Sequence, residues 1–164
     1  EKVHLVAHSM GNFALAELVR RVGTKVQARH GKFIDQLVLA APDIDVDLFR
    51  DFARLFTQHA KNVTLYACGS DKALMLAREI RDDHWRAGDV PHTGPIVVDG
   101  IESIDITAVG SDPFSLNHSV YAEDHGLLKD LGLIMLQGLH PPDVRMSKFK
   151  AVEGIEGRYW VMPL

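Results

Sequence analysis

The chain predicts a three-layer α/β/α fold around a mostly parallel sheet, on three observations. Short, continuous apolar runs recur along it, at Val3 to Ala7, Gln36 to Ala41 and Asn62 to Cys68. Each is followed by a longer stretch whose apolar residues recur at helical spacing. Strand and helix alternating in this way call for crossover connections, and so for parallel strands with helices on the sheet faces.

The elements follow in order. Val3 to Ala7 reads as a buried strand, and Gly11 to Val22 as a helix with Phe13, Ala14, Leu15, Leu18, Val19 and Val22 on its apolar side. Gln36 to Ala41 is a second buried strand, stopped by Pro42. Asp45 or Asp47 is placed to cap the next helix, whose apolar face carries Leu48, Phe52, Leu55 and Phe56. Asn62 to Cys68 is a third strand, followed by Gly69-Ser70-Asp71 and a helix through Arg81. Asp82 to Gly100, rich in Gly, Pro and His, reads as a loop. Ile101 to Val109 alternates apolar and polar residues, as suits a fourth strand nearer an edge. A last helix covers about Ala122 to Gln137, and Pro141-Pro142 closes that region.

The 164 residues, 46% hydrophobic and 24% charged, have an ordinary globular composition. The formal net charge is -4 with no basic block, so nucleic acid is not an expected partner. No apolar run approaches the roughly 18 residues of a transmembrane segment. The single cysteine, Cys68, excludes an internal disulfide and reads as a buried thiol at a strand end. The chain opens on Glu1 and enters a strand almost at once, so it reads as a piece of a longer protein whose targeting region lies elsewhere.

Chemistry concentrates at Leu-Val-Ala-His-Ser-Met-Gly-Asn (5–12), an apolar strand running into a turn and then a helix. Ser9 occupies the corner, Gly11 leaves room for the backbone to turn, and the helix N-terminus behind it favours developing negative charge. The bland alternative for Ser9 is a helix N-cap. A serine hydroxyl is a poor nucleophile at neutral pH, so a base, an orienting acid and an oxyanion hole are needed. His118, in Ser-Leu-Asn-His-Ser-Val after the fourth strand, is the candidate base, with His125 as its rival. Asp71 after the third strand is the candidate acid, with Asp43 after the second as its rival and helix capping as its bland alternative. The Met10 backbone N–H is the candidate oxyanion donor. His8 reads as structural, and His4, His30, His59, His84, His92 and His140 have no supporting context. No cysteine pair and no H-x-x-x-H on a helix argues for a metal, and triad chemistry needs no cofactor.

These pieces together resemble a bacterial family of α/β-hydrolase-fold proteins, esterases of unknown physiological role within the esterase/lipase superfamily. The residues that carry the resemblance are 3–12, Leu-Val-Leu-Ala-Ala-Pro-Asp-Ile-Asp (37–45), Leu-Tyr-Ala-Cys-Gly-Ser-Asp-Lys-Ala-Leu (65–74), Ile-Asp-Ile-Thr-Ala-Val (104–109) and Asn-His-Ser-Val-Tyr (117–121). The resemblance implies that residues 1–138 are the C-terminal portion of a hydrolase domain and 139–164 a C-terminal tail. It implies Ser9, Asp71 and His118 as a catalytic triad and a small-molecule ester as substrate. It also implies that the early strands and the loop giving the second oxyanion donor lie outside this chain. The first strand is then an open, apolar sheet edge through which the chain is expected to self-associate or lose stability. The competing function is a non-catalytic hydrolase-fold module used for binding or assembly.

Overall fold

The computed structural model describes residues 2–69, 85–109, 125–146 and 148–163. Four parallel strands stand side by side in chain order: β1 (His4–His8), β2 (Ile34–Ala40), β3 (Ala60–Ala67) and β4 (Ile101–Asp105). The sheet continues through a hairpin of β5 (Lys150–Glu153) and β6 (Arg158–Val161), with β6 lying parallel against β4. The full order is β1-β2-β3-β4-β6-β5. β4 is therefore interior rather than near an edge, because the C-terminal residues supply its outer neighbour. The strand ends at Asp105, whose side chain accepts the Thr107 N–H at 2.8 Å and turns the chain into a short 3₁₀ segment, Thr107–Val109.

Register divides the sheet into two apolar faces. Leu37, Val63 and Ile101 lie abreast on one face, with Leu39 beside Leu65. Ala40, Tyr66 and Ile104 lie abreast on the other. Helices α1 (Gly11–His30) and α2 (Val46–His59) cover the first face, burying Phe49, Phe52 and Phe56 against it. Helix α3 (His125–Gly132) and the π-turn Leu133–Gln137 that extends it bring Leu127 and Ile134 onto the second. The expected last helix is thus α-helical only to Gly132, and it closes at the left-handed Gly138, φ 64°. The helix expected through Arg81 lies outside the described residues. No helix among the described residues is long and apolar enough to cross a membrane.

Helix α1 packs differently from its hydrophobic pattern. Its buried stripe is Asn12, Ala16, Val19 and Gly23, whereas Phe13, Leu18 and Val22 are exposed. Small residues face inward because α1 lies close to its neighbours: a Cβ on Gly23 would meet the His59 ring of α2 at 2.5 Å. Val6 on β1 and Val3 just before it are exposed as well, and β1 is the edge of the described sheet. At α2 the choice of cap resolves to Asp45, whose carboxylate accepts the N–H groups of Asp47 at 2.9 Å and Leu48 at 3.4 Å.

A charged network fills the second face near α3. Arg145, in the short helix α4 (Pro142–Arg145), and Asp130 have wholly buried side chains, with Nε donating to Oδ1 at 2.7 Å. Arg145 Nη1 donates to Glu102 at 2.9 Å and to the Leu139 carbonyl at 3.2 Å. The Tyr66 hydroxyl donates to the second Asp130 oxygen. His140, which has no sequence signal, joins Glu102 at 2.7 Å to Gln36 at 2.8 Å. Burial opposes the Arg145 charge, but the hydrogen bond and charge of Asp130 outweigh it and raise the guanidinium pKa. Burial, the Asp130 charge and the hydrogen bond to it push the Tyr66 phenol well above its ordinary value.

Two outcomes follow. Arg145→Ala strands a buried carboxylate, so urea denaturation should show a loss of about 3–5 kcal/mol. Because the Tyr66 pKa is raised on folding, its contribution is complete below the unfolded value of about 10 and is lost as pH rises above it. Alkaline titration of stability should therefore fall less steeply for Tyr66→Phe than for the wild type.

Candidate active site

Ser9 follows β1 and adopts φ 51°, a left-handed conformation that costs a non-glycine residue about 1–2 kcal/mol. Hydrogen bonds hold it there. Its N–H donates to the Ala40 carbonyl at the end of β2, 3.0 Å away. Its own carbonyl accepts from the Asn12 backbone at 3.2 Å, the Asn12 side-chain amide at 2.9 Å and the Asp43 N–H at 3.4 Å. Met10 then takes up helical geometry (φ -61°, ψ -21°) as the N-cap of α1. Its N–H belongs to the first turn, where amides have no intrahelical acceptor. The 20-residue helix behind it presents the positive end of its dipole to the corner. Gly11 is not sterically required, since an added Cβ would meet no described atom within 4 Å.

The neighbouring strand end is shaped to match. Ala41 is also left-handed, φ 41°, and its N–H donates to the Tyr66 carbonyl at 2.8 Å. That bend returns the chain over β1, which is how the Asp43 N–H reaches Ser9. Residues 85–88 then stitch the strand ends together: Gly88 N–H donates to Pro42 at 3.0 Å, and Cys68 N–H to Gly88 at 2.9 Å. Glycine is required at 88, because a Cβ would lie 2.5 Å from the Ala41 carbonyl carbon. Cys68 is half-buried rather than buried.

Of the expected site residues, the structure brings Ser9, the Met10 N–H and Asp43 together. The Asp43 carboxylate lies 3.4 Å from Arg86 Nε, and both side chains are about two-fifths exposed. Asp71 and His118 lie outside the described residues. Gly69, the last described residue before Asp71, donates its N–H to Thr107 Oγ1 at 2.8 Å, tying the end of β3 to the turn after β4. His125 is the first residue of α3. A cavity of about 370 Å³ lies beside Arg86, lined by Asp47, Trp85, His92 and Ile96 among others, and Ser9 is not in its wall. Among the described residues no group of three or more His, Cys, Asp or Glu side chains could hold a metal ion.

Sequence reasoning passed over Asn12. The signal was present, because 12, 16, 19 and 23 share one helical stripe and residue 12 is its polar member. A polar residue on a buried stripe one turn after a candidate nucleophile needs partners there.

A parallel sheet of strands and helices with a serine on a left-handed strand-to-helix corner at its carboxyl end defines the α/β-hydrolase class. The chain belongs to the family described as alpha/beta hydrolase of unknown function (DUF900), whose model matches residues 1–135. Comparison with curated proteins and with solved structures gives no match. His140, Arg145 and the β5–β6 hairpin lie beyond the matched range.

The two glycines of this region should respond differently to alanine. Gly88→Ala should lower stability by about 1–3 kcal/mol through overpacking against backbone, whereas Gly11→Ala should change it by less than about 0.5 kcal/mol. Thermal unfolding of both variants checks the contrast.

Proposed function

We propose that this protein is a serine hydrolase that cleaves carboxylic esters through an acyl-enzyme on Ser9. The observation that carries the reading is the Ser9 backbone, left-handed between a strand and a long helix and held by hydrogen bonds from the end of β2, from Asp43 just after it and from Asn12 in α1. A simple N-cap has no need of that conformation, since cap residues take ordinary extended geometry, as Asp45 does here (φ -52°, ψ 140°).

In this reading Ser9 Oγ attacks the ester carbonyl carbon and His118 takes its proton. The carbonyl oxygen becomes an oxyanion facing the Met10 N–H. Collapse of the tetrahedral adduct expels the alcohol, which receives the proton held by His118. Water, deprotonated by the same histidine, then attacks the acyl-enzyme and releases the carboxylic acid and Ser9. Asp71 orients the imidazole and stabilises its charged form. The proximity of Asp43 to the corner keeps it as the competing acid, although its carboxylate faces Arg86.

Hydrolysis of short p-nitrophenyl esters tests these roles. Ser9→Ala and His118→Ala should each lower kcat by roughly 10⁴-fold or more. Asp71→Asn should lose a comparable factor, about 10⁴-fold, and Asp43→Asn less than about tenfold. A reversed order for the two aspartates would move the acid to the end of β2. Unchanged turnover in Ser9→Ala would remove the nucleophile.

A further inference from the structure

Asn12 is wholly buried, yet nothing in helix formation asks for asparagine at the second residue of α1. Its side-chain nitrogen donates to two backbone carbonyls, Ser9 at 2.9 Å and Ala40 at 3.2 Å. An amide nitrogen carries two hydrogens, so one group serves both acceptors. Both neighbours are carbonyl oxygens, which fixes which end of the amide faces them. At the other end of the side chain, Asn12 Oδ1 is buried without a hydrogen-bond partner among the described residues.

The peptide unit being held explains what the amide does. The Ser9 carbonyl and the Met10 N–H belong to one planar, trans peptide group, so they point in opposite directions. Fixing the carbonyl fixes the N–H. We propose that Asn12 is a positioning residue that aims the Met10 N–H at the oxyanion, by pinning the carbonyl of the same peptide plane to the end of β2. Without the amide, the Ser9 carbonyl keeps the backbone donors of Asn12 at 3.2 Å and Asp43 at 3.4 Å, both longer than the side-chain bond. The plane could then tilt and carry the oxyanion donor with it. Aspartate cannot substitute, because it places an acceptor against two acceptors. Serine can satisfy at most one of the two carbonyls.

The proposal rests on the reading of Ser9 as nucleophile, and its test separates the two. Wild type, Asn12→Ala and Asn12→Ser are compared for thermal midpoint, for kcat and KM on a p-nitrophenyl ester, and for inhibition by an aryl trifluoromethyl ketone. That ketone adds Ser9 Oγ to its carbonyl carbon, passes the hydroxyl proton to the base and leaves an oxyanion in the site. Expected is a kcat about ten- to a hundredfold lower in Asn12→Ala, with KM within about twofold and ketone affinity weakened by the same factor as kcat. Asn12→Ser, the milder change, should fall between and keeps the test available if alanine prevents folding. A lower thermal midpoint with kcat and ketone affinity unchanged would make Asn12 purely structural and overturn the proposal. A wild type that neither turns over ester nor binds the ketone would fail the Ser9 reading, and the proposal with it.

Discussion

The end of β1 depends on one backbone conformation. Ser9 leaves the extended region for a left-handed one, and this single rotation lets the chain pass from the end of β1 at His8 to the start of α1 at Gly11. The strain of about 1–2 kcal/mol is local, but the hydrogen bonds that hold it are not. They come from Ala40 at the end of β2, from Asp43 after it, and from Asn12 inside α1. Ala41 must bend left-handed for Asp43 to arrive, and Gly88 must lack a side chain for the 85–88 segment to close over Ala41 and Pro42. Each part is unremarkable alone; together they make a turn with little freedom.

The rigidity of that turn draws on the sheet below it. One face is an apolar layer of strands against α1 and α2. The other mixes apolar packing with the Tyr66–Asp130–Arg145–Glu102 network, which joins β3, β4, α3 and α4. Arg145 and His140 come from the residues beyond the family match, as does the hairpin that covers the outer side of β4. That C-terminal stretch is therefore built into the sheet and into its buried charges. Tyr66 belongs to both regions, since its hydroxyl enters the network and its carbonyl receives the Ala41 N–H.

Strands were legible because buried parallel strands read as unbroken apolar runs, and 36–41 and 62–68 do so. The Ser9 corner was legible for a local reason: strand, small residue, serine and helix are all within eight positions. What failed to show was whatever depended on distant partners. Phe13, Leu18 and Val22 form a convincing helical face, yet small residues won the inward positions because His59 approaches from another helix. Glu102 and Asp130 look like ordinary surface carboxylates until Arg145 meets them across 43 and 15 residues. β5 and β6 did not show because each is only four residues long, and none of their residues is fully buried, so neither forms an apolar run. For the acid, local pattern alone leaves Asp43 and Asp71 each at the end of a strand.

The central claim is that the hydroxyl on this held corner is a nucleophile. Mapping the site of covalent attachment tests it most directly: the protein is incubated with a fluorophosphonate, digested, and the adduct located by mass spectrometry. The claim predicts one adduct, on Ser9, absent after denaturation before labelling. Attachment at another serine, or no attachment to the folded chain, would contradict it.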